Sequence, residues 1–162
     1  MTYIQDHNQD LYRRGMYVFI KRTVSTPSML IFDASNRDQC EVQRGRTNTP
    51  LQALVMMNDP HVMESSRVLA SHLSAEKGSL DVVLSKAFRK IICRKPSEKE
   101  LIILKRYFEN EQASFKREPN KIEKLLKIGE YKKDPGAIRF YTAALMQTIQ
   151  LIYNMEEALI RV

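Results

Sequence analysis

Residues 80–97, LDVVLSKAFRKIICRKPS, decide the fold. Leu80, Val83, Leu84, Ala87, Phe88, Ile91 and Ile92 recur at steps of three and four, so a single stripe of a 3.6-residue helix carries all of them. Pro96 ends the run, because its ring and missing N–H do not suit a helix interior. Ser97 with Glu100 is a capping-box pair, in which the hydroxyl and the carboxylate each satisfy a free amide at a helix start. A long helix follows, through about Lys116, with Leu101, Leu104, Phe108 and Phe115 on its buried side.

The same punctuation extends in both directions. Upstream, Thr49-Pro50-Leu51-Gln52 places a capping hydroxyl, a proline at the first helical position and a glutamine able to reach back to the cap. The helix it opens stops near Asn58. Asp59-Pro60 restarts one whose apolar face is Val62, Met63, Leu69, Ala70 and Leu73, ending before Gly78. Downstream, Asn120 with Glu123 opens a shorter helix that closes at Gly129. Asp134-Pro135 starts a last one carrying Ile138, Tyr141, Leu145, Ile149, Ile152 and Leu159. The expectation is a mainly α fold: a bundle of five to six helices over 49–162, preceded by a long irregular segment, 1–48, that straps onto it.

Composition agrees. At 162 residues the chain is long enough to bury a core as one domain. Five glycines and six prolines are too few for a many-turned β-sandwich, and eight methionines with no tryptophan suit an adaptable helical core. The net charge of +7 is spread evenly: seven basic against five acidic residues in 1–50, eight against six in 51–100, and eleven against eight in 101–162. Phosphate-backbone recognition needs clustered cations, so this distribution argues against a nucleic-acid binder. No stretch approaches the roughly 20 apolar residues of a membrane span.

The first third is less regular. Tyr12, Met16, Phe19 and Ile20 stand at helical steps within Leu11–Val24, and a helix is expected there with an aromatic core face and a solvated basic face. The β-branched and aromatic run from Tyr17 to Ile20 would also suit a strand. Residues 25–48 read as an extended polar connection. A loop of that length inside a compact domain is functional or held by specific side-chain bonds.

Tyr12-Arg13-Arg14, Lys21-Arg22-Thr23, Pro27-Ser28-Met29, Phe32-Asp33-Ala34 and the run from Arg46-Thr47-Asn48-Thr49-Pro50-Leu51-Gln52-Ala53-Leu54 through Asn58-Asp59-Pro60 resemble one family. It is the secreted domain of unknown function at the C-terminal end of planctomycete-type cytochrome-associated multidomain proteins. Phe88-Arg89, Arg94-Lys95-Pro96-Ser97, Gly129-Glu130 and Asn154 before Glu156-Glu157 extend the likeness over nearly the whole chain. Gly15, Phe140-Tyr141 and Asn154-Met155-Glu156 depart from its usual residues. The resemblance implies an exported protein, periplasmic or at the cell surface, of which this chain is the C-terminal portion or a shortened relative. Its partners would be upstream domains of the same polypeptide or a separate protein. It implies no activity.

No catalytic, metal or cofactor motif is legible. Haem attachment needs two cysteines two apart followed by histidine, and Cys40 and Cys93 have neither feature; they read as two free thiols, with a disulfide between them as the alternative. His7, His61 and His72 are scattered, and His61 falls in a helix's first turn, where the dipole disfavours a cation. The best candidate site is the polar cluster Asp33, Arg37, Arg44, Arg46, Asn48 and Asp59. Arginine's planar fork grips oxyanions, and asparagine and aspartate would complete a pocket for a polar ligand such as a carbohydrate. The competing reading is that these side chains clamp the loop by bonding buried backbone groups. The functional expectation is a non-catalytic packing, interaction or ligand-binding module, with an exposed apolar or aromatic patch within residues 11–32 where a partner docks. The alternative is part of an enzyme acting on carbohydrate or another polar extracellular substrate, with Asp33, Arg44, Arg46 and Asp59 lining its pocket.

Overall fold

The computed structural model describes residues 4, 6–19, 25–35, 42, 45, 47–76, 78–132 and 139–160. Eight α-helices and no strands occur among them: α1 (Pro27–Ile31), α2 (Pro50–Asn58), α3 (Pro60–Ala75), α4 (Leu80–Ile92), α5 (Glu98–Arg117), α6 (Pro119–Leu126), α7 (Arg139–Tyr153) and α8 (Glu156–Leu159). Six of them have eight or more residues, as the capped apolar stripes require. The chain forms two compact units, Met1–Gln52 and Ala53–Val162.

The second unit is organised around α7, which packs against α3, α4, α5, α6 and α8. Ala143, Ala144, Leu145, Met146, Ile149 and Ile152 are all buried on it, together with Leu73, Leu84, Phe88, Leu104, Phe108 and Ile122 from the surrounding helices. Small side chains line the α3–α7 contact, where the Thr142 hydroxyl donates to Ser74 Oγ at 3.3 Å. Small residues let two helix axes approach, so this pairing is the most extensive in the unit. Phe108 meets Tyr141 edge to face at 5.1 Å between α5 and α7, and burial raises the Tyr141 phenol above its ordinary pKa.

The helix starts follow the sequence closely. Ser97 and Glu100 form the reciprocal capping box at α5. Asp59 accepts from His61 N at 2.8 Å and Val62 N at 3.3 Å, satisfying two amides of α3's first turn. Thr49 and Gln52 bond each other reciprocally at the start of α2: Thr49 N donates to Gln52 Oε1 at 2.9 Å, and Gln52 N donates to the Thr49 hydroxyl at 3.3 Å.

Several boundaries differ from expectation. Helix α4 stops at Ile92, before Pro96, because Cys93 turns left-handed at φ 65° and donates its N–H to Arg89 O. Helix α6 starts at Pro119, one residue before Asn120, and its cap residue Glu118 accepts no amide of the first turn but pairs with Lys121 at 2.7 Å. The last helix is broken. After Tyr153 the Asn154 N–H bonds both Gln150 O and Leu151 O, tightening the turn, and α8 begins anew at Glu156. Its expected start at Asp134-Pro135 lies outside the described residues. In the first third there is no continuous helix over Leu11–Val24 among the described residues. Two short 3-10 turns, Asn8–Tyr12 and Gly15–Tyr17, stand there instead. Gly15 and the aromatic and β-branched residues after it are poor helix formers. Gly15 also lets the chain approach Met29, whose Cε would stand 3.3 Å from any added Cβ. Residues 27–31, expected to be extended, form α1 behind Pro27.

An acidic and a basic side chain lie within this core. Glu64 and Arg67 on α3 are 4% and 2% exposed. Arg67 donates Nε to Ile128 O at 3.1 Å, Nη2 to Tyr131 O at 2.9 Å and Nη1 to Lys132 O at 3.4 Å. Glu64 accepts from the Glu130 and Tyr131 amides. The two charges are 3.9 Å apart. Together they clasp the turn after α6, whose centre is Gly129 at φ +87°. A Cβ on Gly129 would meet the Glu64 side chain at 2.4–2.5 Å. Both the left-handed backbone and the close carboxylate therefore demand glycine. Gly129→Ala is expected to lower stability by more than about 1 kcal/mol. Urea unfolding measures this, and an unchanged midpoint would contradict the clasp geometry.

Candidate functional site

The polar cluster expected from the sequence is only partly within the described residues, since Arg37, Arg44 and Arg46 lie outside them. The other three have distinct surroundings. Asp33, in the left-handed region at φ 53°, receives both Thr47 N at 2.9 Å and the Thr47 hydroxyl at 2.6 Å on Oδ2. These two bonds, side chain first, hold the Asp33 carboxyl below its ordinary range. Thr47 in turn accepts from Gln52 Nε2 at 2.9 Å, and the same amide nitrogen donates to Ile31 O at 2.8 Å. Gln52 is buried, so its whole amide group is used: Nε2 for Thr47 and Ile31, Oε1 for Thr49. This chain of bonds ties residues 31–33 to 47–52 without any ladder of strand or helix. Asn48 is exposed, and Asp59 caps α3 in the second unit. The described acidic members thus bond neighbouring backbone groups of their own unit.

The sequence did not single out Gln52 beyond its capping role. It missed Glu64 and Arg67 altogether. The available signal was their position: Arg67 stands at a helical step between Met63 and Ala70, where a charge interrupts an apolar stripe.

A second polar centre joins three elements of the second unit. Arg94, just after α4, donates to Glu100 Oε2 at 2.9 Å and Oε1 at 2.7 Å. It also grips both oxygens of Glu157 on α8 at 2.8 Å. Its guanidinium lies 4.9 Å over the Phe88 ring. The bonds from Arg94 first, then the Ser97 amide, bring the Glu100 carboxyl down to about 2. Arg94 lowers Glu157 in the same way, and the two carboxylates hold the guanidinium strongly protonated. Every donor here faces a carboxylate or a backbone carbonyl, so this fork fixes α8 against the start of α5.

Large apolar side chains also stand exposed in the first unit. Tyr12, Met16, Tyr17, Phe19, Leu30 and Phe32 are all exposed, Tyr17 at 67% and Phe19 at 82%. Among the unit's described apolar residues only Leu11 is buried. The aromatic side of this stretch therefore does not face a core, contrary to the amphipathic reading. His7, His61 and His72 are exposed and dispersed along the chain. Among the described residues no group of three or more His, Cys, Asp or Glu side chains gathers to hold a metal, and Cys93 is an exposed free thiol. No helix among them is long and apolar enough to cross a membrane.

Fold and side-chain arrangement together define an all-α protein whose described polar centres hold its own backbone and helix ends. Residues 1–108 match the family model "PSD1: Protein of unknown function (DUF1553)", and the chain belongs to that family. Neither a curated protein nor a solved structure matches it.

The Arg94 centre gives a pH dependence. The folded pKa of Glu100 lies below its ordinary 4.5, so the stability it contributes is present above about 4.5 and is lost as pH falls through about 2. Arg94→Gln should lower the melting temperature at pH 7, and the gap from the native chain should shrink between pH 4.5 and 2. A gap that stays constant over that interval would show that the ion pairs contribute nothing.

Proposed function

We propose that this chain is a non-catalytic helical module of an exported multidomain protein, docking through the aromatic surface of residues 12–32 onto an upstream part of the same polypeptide. On this reading residues 1–48 are the docking strap and 49–162 the bundle that carries it. The observation that carries the proposal is the exposure of Tyr12, Met16, Tyr17, Phe19, Leu30 and Phe32 within one short stretch. A stretch whose described residues leave this many large apolar side chains in water marks an interaction surface more often than a free one. Among its described residues the unit buries one apolar side chain, Leu11, and a docked partner would add the apolar burial that ordinarily stabilises a fold.

Three further points support it. The Asp33–Thr47–Gln52 bonds fix the far end of the strap, so the surface is presented at small entropic cost. The described acidic residues of the expected ligand cluster are engaged with local backbone, which favours packing over catalysis. Membership of a family of unknown function fits a module whose role lies in context, and the likeness to planctomycete-type cytochrome-associated proteins supplies that context: an exported chain with a companion domain upstream.

Hydroxyl-radical footprinting tests the proposal. Tyr17 and Phe19 should label readily in this 162-residue chain and become several-fold protected in the complete polypeptide expressed from its full reading frame. Equal labelling in the two would overturn it, as would a complete reading frame that adds no upstream domain.

A further inference from the structure

The second unit carries a concave feature that the docking proposal does not use. Asp81, Val82, Ser85, Lys86 and Arg89 recur along one side of α4 and, with Lys95 and Pro96 of the α4–α5 connection, line an open groove of about 390 Å³. That volume falls within the range of small-molecule sites. Val82 is exposed, an apolar wall next to cations.

The charges along this groove are unequally compensated. Lys86 pairs with Glu76 at 2.5 Å, and Asp81 with Lys105 at 3.0 Å. Arg94, between Arg89 and Lys95 in the chain, is occupied by Glu100 and Glu157. Arg89 and Lys95 have no ion-pair partner among the described residues. An arginine fork and a lysine point charge thus flank an apolar wall, and the carboxylate in the lining, Asp81, is already paired with Lys105. Arginine takes two oxygens of an oxyanion in parallel, and a lysine beside it suits a second negative charge.

We propose that this groove binds a small amphipathic phosphate monoester, its dianionic head held by Arg89 and Lys95 and its apolar body laid on Val82 and Pro96. The head would displace only water from the two cations, and the body would cover the wall that α4 leaves exposed.

Phenyl phosphate is the probe, added to the whole 162-residue chain and followed by amide chemical shifts. Saturable shifts should centre on Val82, Ser85, Arg89 and Lys95. Inorganic phosphate and phenol should each bind at least about tenfold more weakly, since each lacks one half of the recognition. Arg89→Gln and Lys95→Gln should each weaken phenyl phosphate about tenfold, the loss expected for one charge-assisted contact. Val82→Ser should weaken it by a factor of about three or more. All three positions are solvent-facing, so the fold is retained and circular dichroism checks it. Inorganic phosphate binding as well as phenyl phosphate, or unchanged affinity in Arg89→Gln, would overturn the proposal.

Discussion

Two opposite charges buried in the core determine how the larger unit closes. Removing Glu64 and Arg67 from water is expensive, and their mutual attraction at 3.9 Å does not by itself offset that. What makes the burial tolerable is that both are filled by backbone: the guanidinium meets three carbonyls of residues 128–132, and the carboxylate meets two amides of the same turn. A turn without ladder bonds is thereby given partners for its polar groups, and α3 is committed to one position against the end of α6. Gly129 completes the arrangement, since any side chain there would occupy the space of the Glu64 carboxylate.

The rest of the unit follows from this commitment. Helix α7, the next helix after the clasped turn, has helices packed on several sides and a face of alanine, threonine and branched aliphatics that fits close neighbours. Its C-terminal break at Asn154 redirects the chain into α8, where Glu157 meets Arg94. Arg94 also reads the capping box of α5 through Glu100, so one guanidinium coordinates the end of α4, the start of α5 and the last helix. Both polar centres are thus arginines that bind groups distant in sequence. The apolar stripes decide that helices pack; the arginines decide where the connecting segments lie.

This division explains what the sequence disclosed. Apolar periodicity and caps are local, and the stripe of α4, the Ser97–Glu100 box and the Asp59 cap were all legible from neighbouring residues. Long-range polar contacts leave only a faint local trace. Arg67 reads as an ordinary surface arginine until its place between Met63 and Ala70 is noticed, and nothing near it points to residues 61 to 65 positions away. The break after Tyr153 was equally hidden, because the apolar steps continue through Leu159 while the turn tightens at Asn154, whose N–H is shared between Gln150 O and Leu151 O. In the first third the pattern misled. Aromatic residues at helical steps are equally compatible with short 3-10 turns that bury almost nothing, and periodicity does not tell whether a face has a partner. Of the candidate ligand cluster, Asp59 is bonded to the His61 and Val62 amides of its own helix start, and Asp33 to the Thr47 amide and hydroxyl, a partner in another loop that residue type alone does not reveal.

The second unit is a helical bundle held in register by two arginine centres; the first, by itself, exposes its described aromatics and has residues 31–33 tied to 47–52 through Asp33, Thr47 and Gln52. The central claim is that Glu64 and Arg67 act as one element with the turn between α6 and α7. A double-mutant cycle in urea tests it most directly, using Glu64→Gln, Arg67→Met and the pair. The account predicts that each single change costs about 3–5 kcal/mol, because it strands the other charge in the core, and that the double variant loses at least about 1 kcal/mol less than the sum. Single losses below about 1 kcal/mol that simply add would contradict it.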